Sequence, residues 1–251
     1  MPKLFGDYHT HSTFSSDGRS QLQENVEQAI RIGLKELGIA DHSFKHLSGM
    51  RRQDFQFQLR QMQVLRKAFP QINLLQSIEA DIIDFDGKLD IEEYDLEHLD
   101  YLIMGYHKSA ANENLSTWLK FSMFNGYNIF KPSKKTIAKN TLAYLRCIDR
   151  YPLAFINHIK RGMQVEVREI AKLCAQKGVY IELNGKKIAF DRRDVDIMLE
   201  EGVQFILNSD AHVYTGIGDV SIPFAFLKEY QIPLDLVANL DKLPKLIRCR
   251  K

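Results

Sequence analysis

The chain has 251 residues, of which 45% are hydrophobic and 26% charged, and its formal net charge is +2. This composition is typical of a folded globular protein and excludes a disordered or collagen-like chain. The near balance of charge gives no indication of a nucleic-acid or anionic membrane partner. A chain of this length can form one large domain, and we expect a single domain over residues 1–251.

The three cysteines, Cys147, Cys174 and Cys249, are far apart and form no C-x-x-C pair. They are therefore predicted to be reduced thiols rather than part of a disulfide framework. The N-terminus has no charged region followed by an apolar stretch, and no run of about 18 apolar residues occurs in the chain. We therefore predict a cytoplasmic protein without a membrane partner. Its oligomeric state is not predicted.

Short apolar runs alternate with longer segments of helical period, which is typical of repeated βα units around a parallel sheet. The seven predicted strands are 4–8, 36–40, 74–78, 101–106, 153–157, 180–183 and 205–208. The predicted helices between them are 20–35, 54–69, 134–148, 165–177 and 192–201, with Ser20 as a cap and Gly33 as a stop for the earliest. The pattern predicts an α/β protein in which a βα unit repeats about seven times.

Residues that can bind a metal ion lie where the predicted strands end. Six of the eight histidines occupy such positions, and only His46 and His98 lie elsewhere. The C-terminal ends of parallel strands meet on one face of an α/β fold, so residues far apart in the sequence are expected to meet there. The residues at these ends are His9, His11, Asp41, His42, Glu79, Asp81, His107, His158, Asp210 and His212.

Imidazole and carboxylate donors together suit zinc, manganese or iron, and the absence of cysteine from the set argues against a structural zinc site. A lone catalytic zinc ion uses about three protein ligands. A set of this size therefore predicts more than one divalent ion.

Six motifs in this order resemble the PHP family, named for polymerase and histidinol phosphatase. They are HTHSTFSSDG at 9–18, ADHS at 40–43, IEA around Glu79, GYHKS at 105–109, NHIKR at 157–161 and NSDAH at 208–212. The resemblance implies a distorted seven-stranded (βα) TIM-like barrel with a trinuclear centre of zinc, manganese or iron that acts on phosphoesters. It spans residues 7–212 and is specific, whereas an H-x-H motif alone would be weak.

The resemblance also implies which residues hold each ion. One ion would be bound by His9, His11, Glu79 and Asp210. A second would share Glu79 and add His107 and His158. The third would be bound by Asp17, His42 and His212. A competent residue fills every ligand position, which favours an active enzyme.

Such ions lower the pKa of a bridging water, so that a hydroxide can attack phosphorus, and they neutralise charge on the phosphoryl oxygens. We therefore expect a hydrolase of small phosphomonoesters, with histidinol phosphate as one candidate substrate. Glu79, Asp210 and His212 are the predicted catalytic residues. The group that protonates the leaving alkoxide is not predicted.

Basic side chains beside the ligands are candidates for binding a phosphate, because Arg and Lys are its usual partners. Arg161 is the first candidate and Lys108 the second, and Lys186 and Lys187 also lie near a strand end; solvated surface charges are the alternative interpretation. Asn184 is a candidate substrate contact or a turn residue before Gly185.

Four further polar residues have alternative interpretations. Asp41 is expected to orient an imidazole or cap a helix rather than bind metal. Asp81 is expected to be a loop carboxylate, with a ligand role as the alternative. His46 lies near the mouth of the site, outside the motifs, and His98 is predicted to be an exposed helical residue.

The stretch 108–133 is the longest irregular segment, and it follows a motif residue. It is either a loop or short helix over the site or an ordinary surface excursion. Its aromatic residues, Trp118, Phe121, Phe124, Tyr127 and Phe130, could stack on a nucleotide-sized substrate, but packing of this stretch onto the barrel is the preferred interpretation.

Two other functions fit the same residues. A non-catalytic or accessory metal-binding module, like the domain fused to some bacterial polymerases, would share the fold. A metal-dependent amidohydrolase also begins with H-x-H after its first strand. The NSDAH motif, and Glu79 at the bridging position, favour the phosphoesterase.

Overall fold

The structure is a computed structural model that describes residues 2–111, 116, 121, 125 and 132–249. Seven strands form one parallel sheet in sequence order. They are β1 (Gly6–Thr10), β2 (Glu36–His42), β3 (Asn73–Asp81), β4 (Leu102–Gly105), β5 (Leu153–Ile156), β6 (Tyr180–Asn184) and β7 (Phe205–Asn208). A parallel bridge between Thr10 and Ala211 brings the two edges together. The predicted distorted seven-stranded (βα) barrel is therefore confirmed.

Helices follow the strands and cover the outside of the sheet. They are α1 (Leu22–Arg31), α2 (Arg52–Ala68), α3 (Glu93–Leu96), α4 (Lys134–Arg150), α5 (Val167–Lys177), α6 (Arg192–Glu200) and α7 (Ser221–Tyr230). The five predicted helices correspond to α1, α2, α4, α5 and α6, whereas α3 and α7 were not predicted. No helix among the described residues is long and apolar enough to cross a membrane.

The predicted cap of α1 is wrong. Gln21, not Ser20, occupies the N-terminal cap, and its backbone N–H donates to Glu24. The Ser20 hydroxyl instead accepts a hydrogen bond from the backbone N–H of Tyr214 at 2.7 Å. The predicted stop is confirmed, since Gly33 follows the helix with a φ of +78°, a conformation that glycine adopts without a steric penalty.

Aromatic side chains fill the barrel interior. The rings of Tyr8 and Tyr101 meet edge to face at 6.1 Å, and Tyr101 stacks with Phe155 at 6.2 Å. A Cβ at Gly38 would lie 2.9 Å from Cζ of Tyr101, so glycine there leaves room for the ring. These buried rings pack together beneath the polar residues at the carboxyl ends of the strands.

Candidate metal centre

The ends of β1, β2, β3, β4, β5 and β7 bring the nine predicted metal ligands into one cluster. Several lie in the strands or within two residues of them, and His9, His11, His42, Glu79, His158 and Asp210 are buried. Their convergence was expected from the parallel topology, because all seven strands point the same way. The remaining predicted ligands, Asp17, His107 and His212, lie at the more open side of the cluster.

Glu79 lies at the centre of the cluster. Its Oε1 is 3.2 Å from Nε2 of His9 and 3.0 Å from Nε2 of His158. Its Oε2 is 2.7 Å from Nδ1 of His42 and 3.6 Å from Nε2 of His11. Nε2 of His107 is 3.6 Å from Oε1. A carboxylate with imidazoles on both oxygens has the arrangement needed to bridge two ions.

Two groups of potential ligands share Glu79, in the arrangement that the family resemblance implies. His9, His11 and Glu79 present ligand atoms within 4.8 Å of one another, and so do Glu79, His107 and His158. The Asp210 carboxylate lies beside the former group, with Oδ1 3.3 Å from Nε2 of His11.

The third predicted ligand set also lies together. Oδ2 of Asp17 is 3.4 Å from Nε2 of His42 and 3.6 Å from Nε2 of His212. The structure also places His11 within 4.8 Å of the donor atoms of His42 and His212. The three sets are therefore contiguous.

The unpartnered atoms of this cluster fit divalent ions. Nε2 of His9, both ring nitrogens of His11, Nδ1 of His42 and Oε2 of Glu79 are buried and lie close to one another, but none of them forms a hydrogen bond of good geometry. Buried polar atoms in a folded protein almost always have a hydrogen-bond partner, so converging donor atoms without such bonds fit the ligands of a metal ion. Imidazole and carboxylate donors suit zinc, manganese or iron.

Carboxylates and imidazoles in the cluster shift the pKa values of one another. Burial alone would raise the pKa of Glu79 and of Asp210, but neighbouring histidines hold both pKa values well below the ordinary range. Burial would lower the pKa of His42, yet Glu79 and Asp17 raise it to about 10. Bound cations would replace the protons on such imidazoles, so metal binding releases protons.

His9 is oriented by a buried carboxylate that was not among the predicted site residues. Oε1 of Glu182, in β6, lies 2.8 Å from Nδ1 of His9 and also accepts from Nδ2 of Asn208 at 3.0 Å. A carboxylate on Nδ1 fixes the proton there and leaves Nε2 free for an ion. Glu182 lies in the buried strand β6, where an unpaired charge would be costly, but its position in the sequence does not indicate which imidazole it faces.

Asp81 contacts Nδ1 of His107 in the same way that Glu182 contacts Nδ1 of His9. Its Oδ1 accepts from the backbone N–H of His107 at 2.7 Å and lies 2.9 Å from Nδ1 of the ring. Asp81 is fully buried. The prediction of a loop carboxylate is therefore wrong: Asp81 ends β3, and the strand direction aims it at the imidazole rather than at solvent.

Asp41 holds the loop after β1 rather than an imidazole or a helix end. Its carboxylate accepts from the backbone N–H of Ser12 at 2.7 Å, from the Ser12 hydroxyl at 2.6 Å and from Nε2 of Gln58 at 2.6 Å. The expectation of an imidazole partner or a helix cap is therefore wrong. The contacts fix the loop that carries His11 and Asp17.

Two amides complete the surroundings of the carboxylates. Asn157 donates from Nδ2 to Oε1 of Glu79. Asn184 donates to Oε2 of Glu182 at 2.9 Å and to Oδ2 of Asp210 at 3.1 Å. Asn184 therefore helps to fix the Asp210 carboxylate. A contact between Asn184 and the substrate stays a prediction.

Basic groups lie beside Asp210 at the open side of the cluster. Arg161 places a guanidinium nitrogen 3.8 Å from Oδ2 of Asp210, and Nζ of Lys186 is 3.2 Å from Oδ1 and 2.7 Å from Nδ1 of His212. Lys108 is exposed, and its side chain lies near Gly162. Arg161 and Lys186 thus each place a cation within 4 Å of a predicted ligand.

His46 lies at the open side of the cluster, as predicted. Its ring stacks on His42 at 4.0 Å, and Nε2 is 2.6 Å from the hydroxyl of Ser109. The backbone N–H of Ser48 donates to Nδ1 at 3.1 Å. The ligand atoms of His42, His46 and His107 also lie within 4.8 Å. His98 lies in the turn after α3, so its predicted helical position is wrong. Its side chain is half-buried rather than fully exposed.

Phe121 is buried and packs edge to face on Phe85 at 4.8 Å and on Tyr106 at 5.7 Å. Packing of this residue onto the barrel is therefore confirmed. The other predicted aromatic residues of this stretch, Trp118, Phe124, Tyr127 and Phe130, lie outside the described residues.

The chain is similar to several known proteins. A probable phosphatase of Clostridium novyi is 26% identical over 245 residues, which cover 94% of this chain and 90% of that protein. The DNA polymerase/3′-5′ exonuclease PolX of Bacillus subtilis is 25% identical over 216 residues, 84% of this chain but 35% of its own length. The histidinol phosphate phosphatase of Lactococcus lactis, solved with zinc, L-histidinol and phosphate, has a TM-score of 0.56 at 16% identity and covers 90% of this chain and 94% of that one. The model of the PHP domain matches residues 7–186, and the chain therefore belongs to the PHP family.

Proposed function

We propose that this protein hydrolyses small phosphomonoesters at a centre of three divalent ions held by His9, His11, Asp17, His42, Glu79, His107, His158, Asp210 and His212. The protein is a metal-dependent phosphoric ester hydrolase of the PHP family. The observation that carries the proposal is the central position of Glu79, which has histidine nitrogens on both carboxylate oxygens.

Bound ions would supply an activated water as the nucleophile and would neutralise negative charge on the phosphoryl oxygens. The residues of the chain prepare the site for this chemistry. Glu182 and Asp81 fix the tautomers of His9 and His107, so that each ring presents Nε2 to the cluster. Asn157 and Asn184 hold the carboxylates of Glu79 and Asp210 in place.

Arg161 and Lys186 are proposed to bind the phosphoryl group. Each side chain places a cation within 4 Å of Asp210 and is still partly exposed, at 43% and 39% respectively. A phosphomonoester carries up to two negative charges, which an Arg fork and a Lys ammonium can bind together. Lys108 remains a candidate for a more distant contact.

The substrate is proposed to be a small phosphomonoester, with histidinol phosphate as a candidate. Support comes from the probable phosphatases of similar length and from the fold shared with the histidinol phosphate phosphatase of L. lactis. We propose a cytoplasmic location, since Cys147 and Cys174 are buried and no disulfide joins the described cysteines.

Elemental analysis by plasma mass spectrometry, paired with hydrolysis of an aryl phosphate before and after chelation, tests the proposal. We expect two to three transition-metal ions per chain and activity that a chelator abolishes. Cyclic amides serve as comparison substrates, and their hydrolysis in place of the phosphate would indicate an amidohydrolase. A chain without ions or activity after addition of zinc or manganese would support an accessory module.

The substitution Glu79→Gln provides a sharper test of the centre. It removes the bridging charge but keeps the shape, so metal content and turnover should fall together while the fold persists. Glu36→Gln is the matched control, because Glu36 is also a buried strand glutamate but accepts from Tyr8 and Asn73 at the start of β2. Full turnover in Glu79→Gln would contradict the assignment.

A further inference from the structure

The segment that follows β5 has an unusual backbone. His158, Lys160 and Gly162 have φ values of +26°, +67° and +104°. Glycine adopts such values freely, but residues with a side chain rarely do, and their cost must be offset by the surrounding structure. His158 and Lys160 therefore need contacts that hold them in this conformation.

Lys160 has such a contact. Its Nζ donates to Oδ2 of Asp194 at 2.5 Å, and the two side chains are only 17% and 10% exposed. By contrast, the ion pair of Lys177 with Asp149 has side chains that are 43% and 72% exposed. Water and salt screen an exposed pair, whereas a buried pair keeps its geometry.

Asp194 is itself fixed. It lies in the first turn of α6, where Asp191 caps the helix and accepts from the backbone N–H of Asp194 at 3.0 Å. Oδ2 of Asp194 also accepts from the backbone N–H of Asp191 at 3.1 Å. Lys160 is thus anchored to a rigid helix end that belongs to the next βα unit.

The anchored residue lies between two groups of the site. On one side, Nε2 of His158 is 3.0 Å from Oε1 of Glu79, and the His158 backbone N–H donates to Glu182 at 3.3 Å. On the other side, Arg161 faces Asp210, and its backbone N–H donates to the carbonyl of His158 at 3.0 Å. A change in the backbone at Lys160 would turn both side chains away.

We propose that Lys160 is a positioning residue, whose ion pair with Asp194 holds residues 158–162 in the strained conformation that aims His158 at the metal centre and Arg161 at the bound phosphoryl group. The inference rests on the proposed function for its metal and phosphate. It assigns Lys160 no contact with substrate, although its neighbours in the sequence are a predicted ligand and a predicted phosphate-binding residue.

Two substitutions of Lys160 separate the ion pair from the backbone. Lys160→Met keeps most of the length of the side chain but removes the charge, and it leaves an ordinary residue at a φ of +67°. Lys160→Asn also removes the charge, but asparagine accepts positive φ more readily than other residues with a side chain. Lys177→Met is the matched control for loss of an ion pair, and Asp194→Asn breaks the same pair from the other side.

The affinity for zinc is measured by competition with a chelator, and unfolding temperatures in excess chelator show whether each variant folds. We expect Lys160→Met and Asp194→Asn to weaken the binding of one ion about tenfold, the scale of effect for groups that orient ligands. Lys160→Asn should recover most of this loss, and Lys177→Met should match the wild type. With an aryl phosphate, Lys160→Met should also raise KM, because Arg161 is displaced.

Unchanged zinc affinity in both Lys160→Met and Asp194→Asn would overturn the proposal, as would equal losses in Lys160→Met and Lys160→Asn. A wild-type chain that binds zinc but hydrolyses no phosphoester would contradict the proposed function alone, since the affinity measurements would still test the positioning of His158. Should Lys160→Met fail to fold, Asp194→Asn and Lys160→Asn carry the test.

Discussion

Two of the predicted ligands are oriented by buried carboxylates that contact their rings on the side away from the cluster. His9 and His107 were predicted as ligands from the motifs, but the direction of each ring depends on Glu182 and Asp81. The sequence could indicate the ligands because histidine is rare and concentrated at strand ends. It could not indicate their partners, because a glutamate in a strand has no distinctive spacing, and only the packed barrel shows which imidazole it faces.

Arg161 and Lys186 give a test of phosphate binding at this scale. Replacing either residue by Met should raise KM for an aryl phosphate and leave the zinc content unchanged, because neither side chain is a predicted ligand. Steady-state kinetics and metal analysis measure the two effects. Lys187→Met is the control for charge at the mouth. An unchanged KM in both variants would show that Arg161 and Lys186 are solvated surface charges that do not bind the phosphate.

Asp90 gives a pH-dependent test of the buried carboxylates. Burial, then the nearby Asp81, raises the pKa of Asp90 from its ordinary value of 3.8 to about 7. Protonated Asp90 therefore stabilises the fold below about pH 4, and this contribution is lost as the pH rises through 7. One proton titrating over this range corresponds to about 3 kcal/mol between pH 5 and pH 8.

Asp90→Asn removes this titration, and its amide can still bond to the hydroxyl of Ser43. The free energy of unfolding is measured in urea with chelator present. The difference between the wild type and Asp90→Asn should shift in favour of the wild type at pH 5 relative to pH 8. Asp86→Asn is an exposed control for the same change of side chain. A wild-type advantage that is independent of pH would contradict the raised pKa.

At the scale of elements, the order of strands and helices was predictable and their ends were less so. The hydrophobic pattern placed β1 at 4–8, whereas the strand is Gly6–Thr10 and includes His9. It likewise ended β2 and β3 before His42 and Asp81. The reason is physical: strand ends in this barrel bury polar ligands, and a pattern built on apolar residues stops where the polar ones begin.

The close approach of β4 and β5 explains a glycine beside the site. A Cβ at Gly105 would lie 2.8 Å from Cε1 of His158 and even closer to the side chain of Asn157. Gly105→Ala should therefore displace His158 and Asn157 and weaken zinc binding, while the unfolding temperature in chelator changes less. Gly216→Ala is the control, since its nearest added contact would be an ordinary 3.6 Å to Cβ of Ala211. Wild-type zinc affinity in Gly105→Ala would show that the strands can separate at no cost.

At the scale of the whole molecule, the carboxyl end of the barrel is a cluster of ionisable groups with orphaned lone pairs, and the other end is a packed aromatic core. A metal ion that binds only the folded chain stabilises it by about 4 kcal/mol at a concentration 1,000 times Kd. For a chain of this size, each kcal/mol corresponds to roughly 2–4 °C in Tm. Addition of zinc or manganese should therefore raise Tm by about 10 °C or more at pH 7.5.

The rise in Tm on addition of metal should be smaller at pH 6 than at pH 7.5, because imidazoles of the cluster carry protons that compete with the metal. His42, with its pKa raised to about 10, carries a proton that a metal ion must displace, so each lower pH unit weakens binding by about a factor of ten for each proton released. Calorimetry at both pH values, with Glu79→Gln as the control that lacks the bridging charge, measures the difference. An equal rise at both values would mean that the ions bind elsewhere on the protein, because only ligands that are protonated in the metal-free cluster make the affinity depend on pH in this direction.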